Sequence, residues 1–138
     1  MRRSILFMAL ALGGFAAPTL AAEPAGIQGN WITADGKAVI RVAPCGEAMC
    51  GRIVELPSID PGERAKDSRN PDPAKRGRGL IGLRVFWALV PSERRFEGKG
   101  YSPERGRYFD AEIWRDGDRL RVKGCVALIC QTQTLGPA

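Results

Sequence analysis

The amino-acid sequence predicts an all-β protein: a small antiparallel up-and-down barrel of about eight strands, with a β-sandwich as the alternative. Three observations carry this expectation. Apolar and polar residues alternate with a period of two in most runs between Trp31 and Leu135, the mark of strands with one face in a core. Turn signals rich in Gly, Pro and Asp separate those runs, as in a meander. The same region sustains no helical spacing long enough to define a helix.

The elements follow in order. Trp31-Ile32-Thr33 is a first strand, and Asp35-Gly36 after it is a two-residue hairpin signal. Ala38 to Ala43 sets Ile40 and Val42 opposite Val39 and Arg41. Pro44 to Met49 turns the chain, and Gly51 to Leu56 returns it. From Pro57 to Gly79, four prolines, three glycines and many charges mark a long loop, a feature that is often functional in a compact domain. Leu80 to Val90 reads as an eleven-residue central strand with Ile81, Leu83, Val85, Trp87 and Leu89 on one face. Pro91-Ser92-Glu93 leads into a glycine-marked strand from Arg95 to Tyr101, and Pro103 to Gly106 turns again. Tyr108 to Arg115 sets Phe109, Ala111 and Ile113 inward, with Asp110, Glu112 and Trp114 outward. Asp116-Gly117 is a second hairpin signal, after which Leu120, Val122, Gly124 and Val126 oppose Arg119, Arg121, Lys123 and Cys125. Ile129 to Leu135 is the last strand. Closure into a barrel removes exposed strand edges, and eight strands enclose either packed side chains or one small ligand.

The first 22 residues read as a cleaved secretory signal: Arg2 and Arg3, an apolar stretch from Ile5 to Phe15, then small residues up to Ala21-Ala22. The apolar run is shorter than the roughly 20 residues that span a bilayer, so a membrane-spanning anchor is not expected. Cleavage is expected after Ala21 or Ala22, with residues 23–138 as a single barrel domain and a periplasmic or secreted location. Without the signal the chain holds 19 basic and 15 acidic residues, a balance of +4 against +6 for the whole. The basic residues are scattered, the densest run being Lys75-Arg76-Gly77-Arg78. That run reads as a solvated loop, and nucleic acid is not expected as a partner.

The chain has no histidine, which excludes Ser-His-Asp and Cys-His catalysis and imidazole metal ligation. Its four cysteines form two Cys-x4-Cys pairs. Three pairings are open in an oxidising compartment; spacing prefers Cys45–Cys50 and Cys125–Cys130, each facing its partner across a four-residue hairpin loop. Zinc and redox readings are weaker, because neither pair has the usual spacing or setting. No metal or cofactor is expected.

Several motifs together resemble domain-of-unknown-function family 2147, small exported bacterial proteins. They are Gly29-Asn30-Trp31, Cys50-Gly51-Arg52-Ile53, Lys66-Asp67, Asn70-Pro71-Asp72, Leu80 to Leu83, Gly98 to Tyr101, Pro103 to Tyr108 and Gln131 to Thr134. The resemblance implies a lipocalin-like antiparallel barrel and no established activity. Leu135 stands where the family usually has an aromatic, often Trp, and Ser102 where it often has Asp. The first departure implies looser closure of the barrel end.

Candidate site residues follow from both readings. With the entrance near the long loop, Trp31, Trp87 and Tyr101 are candidate aromatic contacts in an apolar pocket, or they fill the barrel. Lys66, Asp67, Asn70, Asp72 and Arg76 form the densest polar constellation that fits the family pattern; they bind an anionic or sugar-like group or pin the loop to the rim. Asp67 to Asp72 lacks the spacing of a calcium loop and reads as a turn cluster. Asp110 and Glu112 could serve as paired carboxylates, but a surface ion-pair ladder beside Arg119 and Arg121 is the simpler reading. No catalytic residue is assigned, and the sequence leans against an enzyme. The expected function is a binding module holding a small apolar or amphipathic ligand. The alternative is an envelope protein that contacts another protein or a surface polymer through its outer face or long loop.

Overall fold

A computed structural model of the chain describes residues 13–17, 26–60 and 65–138. Ala21, Ala22 and most of the signal reading lie outside the described residues. The described residues form eight strands: β1 (Gly29–Ile32), β2 (Val39–Cys45), β3 (Ala48–Glu55), β4 (Arg84–Ser92), β5 (Arg95–Ser102), β6 (Arg107–Asp116), β7 (Arg119–Val126) and β8 (Ile129–Pro137). Each pairs antiparallel with its neighbours in sequence, and β8 pairs with β1, so the sheet closes as a barrel. The barrel expectation therefore holds and the sandwich does not. Among the described residues no helix is long and apolar enough to cross a membrane.

The two ends of the barrel differ because their connections differ. At one end lie three two-residue turns, Gly46-Glu47, Glu93-Arg94 and Gly117-Asp118. At the other end lie the connections 33–38, 56–83 and 103–106, together with the turn Ala127-Leu128. The short-turn end is packed. Ile27, Trp31, Val42, Leu89, Phe96, Ile113 and Leu120 belong to its apolar core. The Trp31 indole donates from Nε1 to the Ile27 carbonyl at 2.9 Å, and the Arg115 guanidinium, close to the 117–118 turn, lies 5.6 Å above its ring.

Several local expectations are corrected. Asp35-Gly36 is not a two-residue hairpin: Thr33 N–H donates to the Ala38 carbonyl around the four residues 34–37, and the Asp35 carboxylate takes the Thr33 hydroxyl and the Lys37 N–H. Those hydrogen bonds, the hydroxyl foremost, hold the Asp35 carboxyl below its ordinary pKa. Both cysteine pairs are bridged as expected, but the strands run further toward their turns than a four-residue loop allows. Cys125 and Cys130 are direct cross-strand partners, whereas Cys45 lies opposite Ala48 and Cys50 opposite Ala43. The second Asp-Gly signal is displaced by one residue, with Asp116 still in β6 and Gly117 first in the turn.

The eleven-residue strand is shorter and broken. It begins at Arg84, because Leu80 to Leu83 form a turn in which Leu83 N–H donates to the Leu80 carbonyl and Gly82 adopts φ 82°. Ile81 is consequently exposed rather than inward. A second irregularity at Ala88, φ 53°, shifts the register between Trp87 and Val90. The carbonyls of Trp87 and Ala88 then crowd the space where a side chain on Gly98 would begin. Such a bulge exchanges the faces of the residues beyond it. Phe86 and Leu89 are thus both buried, while Trp87 is only half-buried.

On the outer wall the carboxylates do form ion pairs, but with other partners than Arg119 and Arg121 alone. Glu112 meets Arg95 at 2.6 Å and Lys123 at 3.6 Å, Asp110 meets Lys99 at 2.5 Å, and Asp116 meets Arg121 at 3.2 Å. Exposed pairs of this kind contribute about 0.2–1 kcal/mol each. Closure between β1 and β8 rests on two residue pairs, Trp31 with Pro137 and Ile32 with Gly136, against seven between β7 and β8. Leu135 is buried beside that narrow seam.

Candidate ligand-binding site

The end with the long connections encloses a cavity of about 960 Å³. Its inner wall is apolar: Ile40 and Ile53 from β2 and β3, Val85 and Phe86 from β4, Phe109 from β6, Val122 from β7. Phe86 and Phe109 meet edge to face, with ring centroids 6.4 Å apart. Three glycines make room for these rings. A side chain on Gly51 would begin 2.7 Å from Phe86, one on Gly124 would begin 2.9 Å from Phe109, and one on Gly100 would strike Phe109 as well. Glycine at these places acts through missing volume. On β8, Gln131 and Gln133 face the same interior.

The rim of the cavity is cationic. Lys37, Lys66, Arg69, Arg105 and Arg107 line it, with Asp35 and Glu104 as the acids. Lys37 lies 3.8 Å from Asp35 and 3.9 Å from Glu104. Lys66, Arg69, Arg105 and Arg107 form no ion pair among the described residues. Arg69 and Arg105 instead donate to neutral oxygens, the Glu104 carbonyl at 2.5 Å and the Gln131 amide at 2.6 Å. An apolar interior beneath a positive rim suits a molecule with an apolar body and a polar or anionic end.

The long loop crosses one side of this mouth, and a buried carboxylate fixes it. Asp67 accepts the Tyr101 hydroxyl at 2.5 Å, the Asn70 side-chain amide at 2.8 Å and Arg78 Nε at 2.9 Å. Asp67 and Asn70 are the two buried polar residues among those described. Every buried side-chain polar atom described has a partner, as a folded loop requires. The rest of the loop hangs from this point. Asn70 Oδ1 accepts from Asp72 N–H, Asp72 Oδ1 accepts from Ala74 N–H at the start of a 3-10 turn (Pro73–Lys75), and Arg76 Nε donates to the Asn70 carbonyl at 2.9 Å. Arg78, expected in a solvated run, is held by Asp67, whose hydrogen bond and charge outweigh burial and raise the guanidinium pKa.

Tyr101 reports on this contact. Burial, and after it the hydrogen bond and charge of Asp67, push its phenol up to about 12. A folded-state pKa above the unfolded value near 10 means that the phenol stabilises the fold fully below pH 10. That contribution is lost as pH rises from about 10 through 12. An absorbance titration at 295 nm is expected to show a tyrosine step near pH 12 that Tyr101→Phe removes. A Tyr101 step near 10 would refute the buried contact.

The structure separates the candidate residues. Tyr101 and Lys66 line the cavity; Asp67, Asn70, Asp72 and Arg76 hold the loop. Trp31 sits in the packed end. Trp87 lies on the outer wall against Tyr108, with ring centroids 6.1 Å apart, and under Arg84. Neither indole lines the cavity. Sequence reasoning passed over Phe86, Phe109, Arg69, Arg105 and Arg107. Phe109 carried a signal in the inward phase of its strand, and Arg105 and Arg107 lay within a family motif; nothing local marked Phe86, which a register shift against β3, between Arg84 opposite Arg52 and Phe86 opposite Gly51, brings to the same face as Val85. Among the described residues no three Cys, Asp or Glu side chains come together as metal ligands.

Comparison with known proteins agrees with this architecture. The chain is similar in structure to HP1028 of Helicobacter pylori, described as a protein of that human pathogen belonging to the lipocalin family. The TM-score is 0.69 at 17% identity, over 82% of this chain and 83% of that one. At that identity the likeness is one of fold, an eight-stranded lipocalin-like barrel. No curated protein matches the chain. The family described as "Uncharacterized protein conserved in bacteria (DUF2147)" matches residues 29–136, from the first residue of β1 to the penultimate residue of β8, and the chain belongs to it.

Proposed function

We propose that the protein is an exported binding module that holds one small apolar or amphipathic molecule in the open half of its barrel. The observation that carries this reading is the cavity of about 960 Å³ with apolar walls and one open end. Its size is at the upper part of the range of small-molecule sites, roughly 300–1,000 Å³. The apolar part of the ligand rests on Phe86 and Phe109, and its polar end meets Lys66 and Arg69. Asp67, Asn70, Asp72 and Arg76 serve the ligand indirectly, by keeping the loop over the mouth. Two disulfides support an oxidising, exported location.

Gln133 offers a test, since it faces the cavity from β8 and is exposed within it. Tryptophan at this position fills the mouth without displacing a packed neighbour. The native protein is expected to bind 1-anilinonaphthalene-8-sulfonate saturably at one site, and long-chain fatty acids are expected to displace it. Gln133→Trp is expected to weaken both at least tenfold, about 1.4 kcal/mol, with an unchanged circular dichroism spectrum. Equal binding by native protein and variant, or no saturable binding at all, would remove the cavity from consideration.

A further inference from the structure

The turn joining β7 and β8 projects at the open end of the barrel, and its tip is apolar. Val126, Ala127, Leu128 and Ile129 form it, with Leu128 99% and Ile129 75% exposed. The barrel's other two-residue turns between described strands are Gly46-Glu47, Glu93-Arg94 and Gly117-Asp118, each carrying a charged residue at the tip. The Cys125–Cys130 bridge joins directly paired residues at the base of the apolar turn, so the two strands stay together up to the tip.

Cations stand next to it on the same rim. Arg105 is tied by its guanidinium to Gln131, two residues from Ile129, and Arg107 lines the mouth along with Val126 and Ile129. Neither arginine is ion-paired among the described residues. We propose that this end of the barrel docks on an anionic lipid bilayer: Leu128 and Ile129 enter the acyl boundary, and Arg105 and Arg107 meet the headgroups. Apolar residues flanked by cations are the recurring means of interfacial anchoring. A four-residue tip is far smaller than the roughly 800 Å² per partner of a stable protein interface. A second copy would bring the same arginines face to face. Docked in this way, the barrel sets its cavity mouth against the bilayer, whatever fills the cavity.

Cosedimentation of the purified protein with phosphatidylglycerol-containing vesicles tests the assignment, with pure phosphatidylcholine vesicles as the comparison. Binding is expected to the anionic vesicles and to fall as salt is raised. Leu128→Ser with Ile129→Ser is expected to weaken it at least tenfold, and Arg105→Gln and Arg107→Gln about fivefold each. Leu128→Trp is expected to emit at shorter wavelength when anionic vesicles are added. Gln133→Trp, which blocks the cavity, leaves vesicle binding unchanged, so the docking surface and the cavity stand or fall separately. Absent binding, binding equal on both lipids, binding indifferent to the tip, or a dimer in light scattering that the tip variant abolishes would each overturn the proposal.

Discussion

Asp67→Ala is expected to destabilise the protein by about 2–4 kcal/mol and to release the loop from the barrel mouth. Asp67 is wholly buried and takes hydrogen bonds from Tyr101, Asn70 and Arg78. Removing one partner of a buried ion pair costs about 3–5 kcal/mol, because the other is left desolvated. Arg78 is 36% exposed in its side chain, so water recovers part of its loss, which sets the lower range. Against a total stability of about 5–15 kcal/mol, the change is large. Urea denaturation measures it, and the Tyr101 titration of the same variant locates it: the step near pH 12 moves toward 10. Asp67→Asn restores the volume but turns an amide N–H₂ toward donors, and therefore rescues little. A loss below about 1 kcal/mol would show that the loop is held by something else.

The second large effect is expected at Gly106. This residue, at the end of the β5–β6 connection, has φ 60°, and a side chain there would collide with the Arg69 carbonyl oxygen. Gly117 has nearly the same φ, 61°, with nothing within 4 Å of the place a side chain would occupy. Both substitutions to alanine place an L-residue in the left-handed region, at about 1–2 kcal/mol. Gly106→Ala adds forced displacement of packed atoms, about 1–3 kcal/mol more. The difference between the two variants therefore isolates the contact between the long loop and the β5–β6 turn. Gly106→Ala is also expected to speed amide hydrogen exchange across residues 65–82, and Gly117→Ala is not. Equal destabilisation by the two would mean that Arg69 yields without strain.

The contrast between these positions and the strands shows where sequence reasoning reached its limit. The inward residues of β6 and β7 were legible because alternation is a local property: Ala111, Ile113, Leu120 and Val122 are buried as their period implies. The preference for the two local cysteine pairings rests on the same locality, and both local bridges are present. β4 was misread because positive φ at Ala88 and the approach of its carbonyls to Gly98 depend on the neighbouring strand. Residue type alone leaves Trp31 and Trp87 as pocket contacts or as barrel filling; packing makes Trp31 part of the filled end and puts Trp87 on the outer wall.

By itself, then, the sequence determined most of the strands and their faces and a preference for the two local bridges, because each depends on residues a few positions apart. Only the tertiary structure decided which half of the barrel is filled and which is open, since that follows from how far the connections at each end reach across it. It also decided the role of Asp67. In sequence, this carboxylate either binds a ligand or pins the loop; Tyr101, 34 residues away, and Arg78, 11 away, close over it and make it the pin, and a buried charge persists only where such partners meet it.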